Sequence, residues 1–264
     1  MPRNLPPIVL IHGMWCTPAV WDRMRNLLQA RGYRCFVPAL PAHEPTPDQP
    51  LRVGGLSLKT YLAHLEAEIA AQNFPQPPVL VGHSMGGLLA QQLAARIQPL
   101  ALVLLTPATP AGINALSWAN LVAFSRALTR WGFWRKPHKP LPQRAARSHF
   151  RGLPVERHGA LYQSLVHESG RALFEIGLWW ADFSRASAVD ARAVRCPVYI
   201  VSAGLDVLTP ASVVRKLLAR YPQASHRFYP DRGHWVIDDD DTDDTVVSLC
   251  SWLRPMEQRA ARVA

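Results

Sequence analysis

A serine, an aspartate and a histidine occupy positions in this sequence from which they could together perform nucleophilic catalysis. Ser84 is the central residue of a Gly-x-Ser-x-Gly motif, and Asp206 and His234 each come shortly after a predicted strand. A serine hydroxyl is a weak nucleophile at neutral pH, so it needs a base, and the base needs an acid that orients it. The order serine, aspartate, histidine is the one expected when an open α/β sheet carries these groups.

The residues around Ser84 predict a strand, a sharp turn and a helix. The apolar run 79–81 leads into the motif, and the helix-forming run 88–93 follows at once. Gly82 and Gly86 would keep side chains out of the place where strand and helix approach each other. Backbone N–H groups at the start of such a helix point toward the serine. The motif alone also fits an ordinary strand-to-helix turn, and the later aspartate and histidine favour a nucleophile elbow.

The order of the predicted elements indicates the fold class. Short apolar runs of strand type alternate with amphipathic segments of helical period. This alternation predicts an α/β fold with a mostly parallel central sheet and helices on both faces. The predicted strands are 7–11, 33–37, 79–83, 100–105, 196–201 and 225–229. Active groups collect at the carboxyl ends of the strands in such a sheet, so we expect Ser84, Asp206 and His234 to meet there.

The alternation is interrupted between residues 108 and 191. No strand is predicted in this segment, but the spacing of its apolar residues predicts helices over 117–131, 156–168 and 170–182. We therefore expect residues 108–191 to form a helical cap, or lid, inserted after the strand that ends near Thr106. Residues 1–107 and 192–264 would form the core beneath it, with the cap over the carboxyl ends of the strands.

Four short segments resemble the motifs of the α/β-hydrolase family, in particular small bacterial serine esterases and lipases with a helical lid, and the resemblance covers the whole chain. His12–Trp15 resembles the family's oxyanion segment, and Gly82–Gly86 resembles its nucleophile elbow. Gly204–Asp206 resembles its acid turn, and Gly233–Trp235 its histidine loop. The dehalogenases and epoxide hydrolases of this fold have an aspartate where Ser84 stands. The resemblance therefore disfavours those two activities.

The resemblance also implies a role for each residue of the site. Ser84 would be the nucleophile, His234 the general base and then the general acid, and Asp206 the group that holds the imidazole tautomer. Backbone N–H groups of Met14 and Met85 would bind the developing oxyanion.

An apolar acyl site is expected beside the serine, since a lid helix needs one apolar face toward the pocket. Candidate substrate contacts are Trp15, His83, Trp118, Trp179 and Trp180. For the tryptophans of the cap, packing in a core is the alternative at helical spacing. For His83 the alternative is a structural hydrogen bond, because the mechanism needs only one base.

Three functions fit these residues. The first is hydrolysis of carboxylic esters with an apolar acyl group through an acyl-enzyme on Ser84. The second is a thioesterase that acts on acyl-CoA or acyl-carrier substrates, because the chain carries a net charge of +10 and has no Asp or Glu from residue 69 to 155. An anionic partner would suit that segment, and a solvated basic surface is the simpler interpretation. The third is a non-catalytic ligand receptor on a hydrolase fold, since fold does not determine function.

The remaining composition predicts no cofactor and no metal. The four cysteines form no Cys-x-x-Cys pair, and the acidic run 238–244 lacks the glycine and terminal glutamate of a calcium loop. The expected partner is a small-molecule ester, with no nucleic acid and with a membrane surface not favoured. We expect a cytoplasmic protein, because neither a signal-like segment nor an apolar run long enough to span a bilayer is present.

Overall fold

The computed structural model describes residues 5–115 and 131–263. This part of the chain contains eight strands: β1 (Ile8–Ile11), β2 (Cys35–Phe36), β3 (Val79–His83), β4 (Ala101–Leu105), β5 (Pro137–His138), β6 (Glu168–Ser169), β7 (Val198–Ala203) and β8 (Ser225–Tyr229). Six of them form a sheet in the order β2-β1-β3-β4-β7-β8, and every neighbouring pair is parallel. The expected α/β fold with a parallel central sheet is confirmed.

The centre of the sheet is the centre of the core. Every residue of β1, β3 and β4 is buried, which requires cover on both faces and explains why these strands are continuous apolar runs. The edges differ from the expectation. Only two residues of the predicted strand 33–37 form β2, and both are half-buried. At the other edge, four of the five residues of β8 are exposed.

Helices and single turns of 3-10 helix fill the connections. The α-helices are α1 (Asp22–Gln29), α2 (Gln49–Val53), α3 (Leu58–Ala71), α4 (Met85–Ile97), α5 (Pro142–Arg147), α6 (Val155–Ser164), α7 (Gly170–Gly177), α8 (Ala211–Leu218) and α9 (Thr242–Val263). The 3-10 turns are Pro18–Trp21, Phe133–Arg135 and Trp179–Ala181. No helix in the described ranges is long and apolar enough to cross a membrane.

The segment between β4 and β7 differs in detail from the expected all-helical cap. It contains α5, α6 and α7, but it also contains β5 and β6, which pair antiparallel as a separate two-stranded sheet. The helix predicted over 156–168 is α6, which ends at Ser164, and the one predicted over 170–182 is α7 followed by a 3-10 turn. The helix predicted over 117–131 lies outside the described residues apart from its last residue. The domain limits stay a prediction.

Candidate active site

Ser84 lies on the sharp turn between β3 and α4, with a φ of 53° and a ψ of −123°. This backbone conformation is strained for any residue other than glycine. A Cβ atom at Gly82 would overlap the Gly86 carbonyl, and a Cβ atom at Gly86 would overlap the Ile11 carbonyl. The two glycines therefore allow β1, β3 and α4 to close around the serine, which is the geometry of a nucleophile elbow.

Asp206 and His234 form a buried pair in the loops after β7 and β8. The His234 Nδ1 atom lies 2.8 Å from the Asp206 Oδ2 atom. The carboxylate also accepts hydrogen bonds from the Leu208 N–H, the Thr209 N–H and the Thr209 hydroxyl at 2.8, 2.9 and 2.6 Å. Burial raises the pKa of Asp206, but the charge of His234 and these hydrogen bonds outweigh it and lower the pKa below its ordinary value. An ionised Asp206 must accept the Nδ1 proton, so the His234 Nε2 atom is left to act as a base.

The main chain of His234 is tied to the elbow. Its carbonyl accepts one hydrogen bond from the His83 Nε2 atom and another from the Thr106 hydroxyl, both at 2.9 Å. Burial and the neighbouring His234 lower the pKa of His83 to about 3, so His83 is a neutral donor near pH 7. Since His83 directly precedes Ser84, this contact links the histidine loop to the nucleophile turn.

Two backbone N–H groups stand beside the serine. Met14 lies in the loop after β1, Met85 is the first residue of α4, and both line the same cavity as Ser84. A Cβ atom at Gly13 would lie 2.9 Å from the Ser84 Cβ atom, so the loop packs closely against the serine. Among the residues that the structure describes, no acceptor is found for the Met14 N–H or the Met85 N–H. Such donors can bind an oxygen anion that forms at the serine.

The cavity at Ser84 is predominantly apolar. Its empty volume is about 690 Å³ including its open mouth. Residues of both the core and the cap line the cavity. The lining residues are Met14, Trp15, Ser84, Met85, Ala108, Thr109, Ala115, Ile176, Gly177, Trp179, Leu208 and Thr209. Such a wall suits a hydrocarbon chain, and the few polar groups are concentrated near the serine.

The predicted substrate contacts fall into three groups. Trp15 and Trp179 line the cavity. His83 and Trp180 do not: His83 is buried behind the elbow with its Nε2 atom on the His234 carbonyl, and the Trp180 side chain is 65% exposed. The direction of a side chain at the end of a strand or in a 3-10 turn is not given by residue spacing, which explains both differences. Trp118 lies outside the described residues.

Two residues near His234 were not predicted from the sequence. Thr209 supports Asp206, and its position three residues after the aspartate is the signal that could have revealed it, since a hydroxyl there commonly caps an Asx turn. His149 comes from the cap and lies with its ring centroid 4.8 Å from that of Trp15 and 6.3 Å from that of His234. Burial first and His234 second lower the pKa of His149 to about 3, so it adds no charge to the site. No sequence signal distinguishes it.

The described ranges contain no site for a metal ion and no reactive thiol. No group of three or more His, Cys, Asp or Glu residues there could hold a metal ion. Cys16, Cys35, Cys196 and Cys250 are free thiols, and burial raises the pKa of each above its ordinary value. They are therefore protonated near neutral pH and poor nucleophiles.

Two known proteins of similar sequence are esterases by name. The pimeloyl-(acyl-carrier protein) methyl ester esterase of Aromatoleum aromaticum is 29% identical over 245 residues, which are 88% of this chain and 92% of that protein. The protein of the same name from Chromobacterium violaceum is 27% identical over 250 residues, which are 87% of each chain.

Two further comparisons identify the fold and the family, one with a solved structure and one with a family model. The crystal structure of a methylesterase from Arabidopsis superposes with a TM-score of 0.69 over 94% of this chain and 100% of that chain, at 15% identity, which shows the shared fold alone. The model of the alpha/beta hydrolase family matches residues 8–248. That match spans most of the sequence and includes the elbow, the acid turn and the histidine loop, so the chain belongs to the alpha/beta hydrolase family.

Proposed function

We propose that this carboxylic-ester hydrolase works through an acyl-enzyme on Ser84. The His234 Nε2 atom takes the Ser84 proton while the oxygen attacks the ester carbonyl, and the negative oxygen of the tetrahedral intermediate is held by the Met14 and Met85 N–H groups. The intermediate collapses, and the alcohol leaves with the proton from His234. Water then attacks the acyl-enzyme with His234 as base, and the free acid is released with the serine restored.

The hydrogen bond between His234 and Asp206 beside the strained elbow carries this proposal. The 2.8 Å contact is buried, the carboxylate is ionised, and the histidine loop is bound to the residue before Ser84. Such an arrangement serves a serine nucleophile, whereas a pure binding site would have no need to keep an ionised carboxylate on a buried histidine. The names of the related esterases support the same reaction class.

The apolar cavity favours an ester with an apolar acyl group. Ile176, Leu208 and Trp179 offer it a hydrocarbon wall, and they belong to both the cap and the core. The relatives named methyl ester esterases support a small alcohol as the leaving group.

An acyl group borne by a carrier protein is a second candidate substrate, linked as an ester or a thioester. The specific observation is the basic surface of the cap, defined here as Arg135, Arg147 and Arg151. All three side chains are exposed, and no carboxylate within the described ranges forms an ion pair with them. Positive charge that is exposed and has no carboxylate partner suits a binding protein with an acidic surface. The two esterases that share this fold act, by their names, on a group attached to such a carrier.

The serine mechanism is tested by hydrolysis of p-nitrophenyl esters of increasing acyl length, together with acyl-CoA thioesters. Ser84→Ala should lower kcat by about 10⁴- to 10⁶-fold, since removal of a triad member abolishes the covalent route. The preferred chain length and leaving group then distinguish the ester from the thioester.

Ser202→Ala is the matched control for this experiment. Ser202 is a buried serine at the end of β7 whose hydroxyl lies 2.8 Å from the His226 Nε2 atom, away from the elbow. Its variant should keep wild-type kcat. Full activity in Ser84→Ala would contradict the proposed mechanism, and tight ligand binding without turnover in the wild type would favour the receptor.

A further inference from the structure

The loop that carries the Met14 N–H has a long backbone hydrogen bond of its own. The Cys16 N–H lies 3.4 Å from the Gly13 carbonyl, near the limit for such a contact, although the Cys16 thiol also donates to the Met14 carbonyl at 3.2 Å and the His12 Nδ1 atom lies 3.0 Å from the Gly13 carbonyl. Trp15 adopts a φ of 62°, in the left-handed region that an aromatic residue rarely adopts. A strained residue in a loose turn keeps one conformation only where its surroundings impose it.

The cap supplies that constraint. The Trp15 indole N–H donates to the His138 carbonyl at 2.9 Å, and the Trp15 carbonyl accepts from the Val166 N–H at 2.8 Å. His138 belongs to β5, and Val166 lies two residues before β6. Both contacts join Trp15 itself to the cap, and both are shorter than the backbone bond between Cys16 and Gly13, so the cap fixes the conformation of Trp15.

The two-stranded sheet is itself fixed to the core. The buried Glu168 carboxylate of β6 accepts from the Tyr61 hydroxyl at 2.8 Å and lies 3.1 Å from the His43 Nε2 atom. The Ser169 hydroxyl donates to the Leu56 carbonyl at 2.6 Å. These partners belong to the core, so β5 and β6 form a support that cannot shift without breaking buried hydrogen bonds.

We propose that Trp15 is a positioning residue, through which the two-stranded sheet of the cap holds the Met14 N–H beside Ser84. The inference rests on the proposed function, because it assigns the Met14 N–H to the oxyanion. A donor in an oxyanion hole acts on charge that appears only in the transition state. Displacement of Met14 therefore lowers kcat and leaves the binding of the intact ester unchanged.

The test replaces the indole without removing the aromatic ring. Trp15→Phe loses the N–H that reaches His138, and we expect kcat to fall by about 10- to 100-fold, the cost of a displacement of about 1 Å in an active site. A boronic acid that forms a tetrahedral adduct with Ser84 should lose affinity by the same factor. Binding of the intact ester, measured on the Ser84→Ala background with and without Trp15→Phe, should change far less than kcat does, because phenylalanine keeps an aromatic ring at the cavity wall.

Trp21→Phe is the matched control. Trp21 is fully buried, and its Nε1 atom has no hydrogen-bond partner in the described part of the chain, so this substitution removes a buried indole without removing a hydrogen bond. Its kcat should stay near wild type. Equal losses in the two variants would overturn the inference, as would a Trp15→Phe effect confined to KM, which would make Trp15 only a wall of the cavity.

A second pair of variants tests the other contact. Val166→Pro removes the N–H that binds the Trp15 carbonyl, and the preceding Leu165, with a φ of −69° and a ψ of 143°, already has a conformation that proline accepts. Val166→Ala keeps the N–H. Only the proline variant should reproduce the kcat loss, and equal activity of the two would contradict the inference. Full activity of Ser84→Ala would instead refute the proposed function itself.

Discussion

The carbonyl of His234 accepts two hydrogen bonds, and each comes from a residue at the carboxyl end of a central strand. His83 is the last residue of β3, and Thr106 follows β4 directly. The position of His234, the general base of the proposed mechanism, is thus set by its main chain as well as by Asp206. A shift of the His234 backbone would move the Nε2 atom away from Ser84 even with the aspartate contact intact.

Thr106→Val should lower kcat by about 2- to 10-fold, the effect of losing one ordinary hydrogen bond. Valine keeps the shape and the β-branching of threonine, so the change isolates the hydroxyl. Thr106→Ser, which keeps the hydroxyl, should restore most of the activity in the same ester assay. If serine and valine were equally damaging, the hydroxyl contact to His234 would not be the cause.

At the scale of single residues, the sequence predicts the motifs but not the direction in which each side chain points. The placement of Asp206 and His234 after strands was enough to predict that they meet, because parallel strands end at one edge of a sheet. His83 and Trp180 show the limit. Whether a side chain at the end of a strand faces the cavity or the histidine loop depends on packing that no local pattern encodes.

At the scale of elements, β6 is joined to the core by an ion pair that responds to pH. Burial alone would lower the pKa of His43, but the facing Glu168 carboxylate outweighs it and raises the pKa above its ordinary value. His12 and Tyr61, which also face this pair, stay neutral near pH 7 because burial lowers the pKa of His12 to about 3 and raises that of Tyr61. The folded protein therefore binds a proton at His43 more tightly than the unfolded chain does.

This linkage predicts a loss of stability in alkali. The contribution of the pair is fully present below the unfolded-state pKa of about 6.5 and disappears as the pH rises through the higher folded-state pKa. Glu168→Gln leaves His43 buried without a carboxylate, so its pKa should fall and its contribution to the pH dependence should reverse. Urea unfolding between pH 5 and 9 measures both slopes, because the wild-type slope lies above pH 6.5 and the reversed slope below it. Identical slopes in wild type and variant would contradict the assignment.

The elements of the core were predictable and those of the cap were less so. Fully buried strands such as β3 and β4 leave a continuous apolar run with turn residues at each end. By contrast, β5 and β6 have two residues each, and Pro137 in β5 lacks an N–H for a ladder. Such strands are stabilised by contacts between residues far apart in the sequence, so the local strand propensity of their residues does not predict them.

At the scale of the whole molecule, the net charge of +10 is unevenly distributed. The basic surface of the cap, Arg135, Arg147 and Arg151, belongs to the segment of residues 69–155, which has no acidic residue. Charge of this kind accelerates encounter with an acidic partner and has little effect on a neutral one.

Reversal of two of these charges should separate the substrate candidates. Arg147→Glu combined with Arg151→Glu should lower kcat/KM for an acyl group on an acidic carrier protein by about tenfold and leave that for a neutral p-nitrophenyl ester unchanged. Arg254→Glu combined with Arg259→Glu, at two exposed arginines of α9 outside the cap, is the control for net charge. An equal effect of both substitutions, or no effect on the carrier substrate, would contradict a docking role for the basic surface.

The pairing of β4 with β7 brings together stretches of chain about a hundred residues apart, Leu102–Leu105 and Val198–Val201. Ser84 precedes that crossing in the chain, and Asp206 and His234 both follow it. In the proposed mechanism, therefore, the serine gains the pair that activates it only when β7 and β8 have joined the sheet. The order of the three residues along the chain ties the proposed activity to the slowest, most non-local part of the fold.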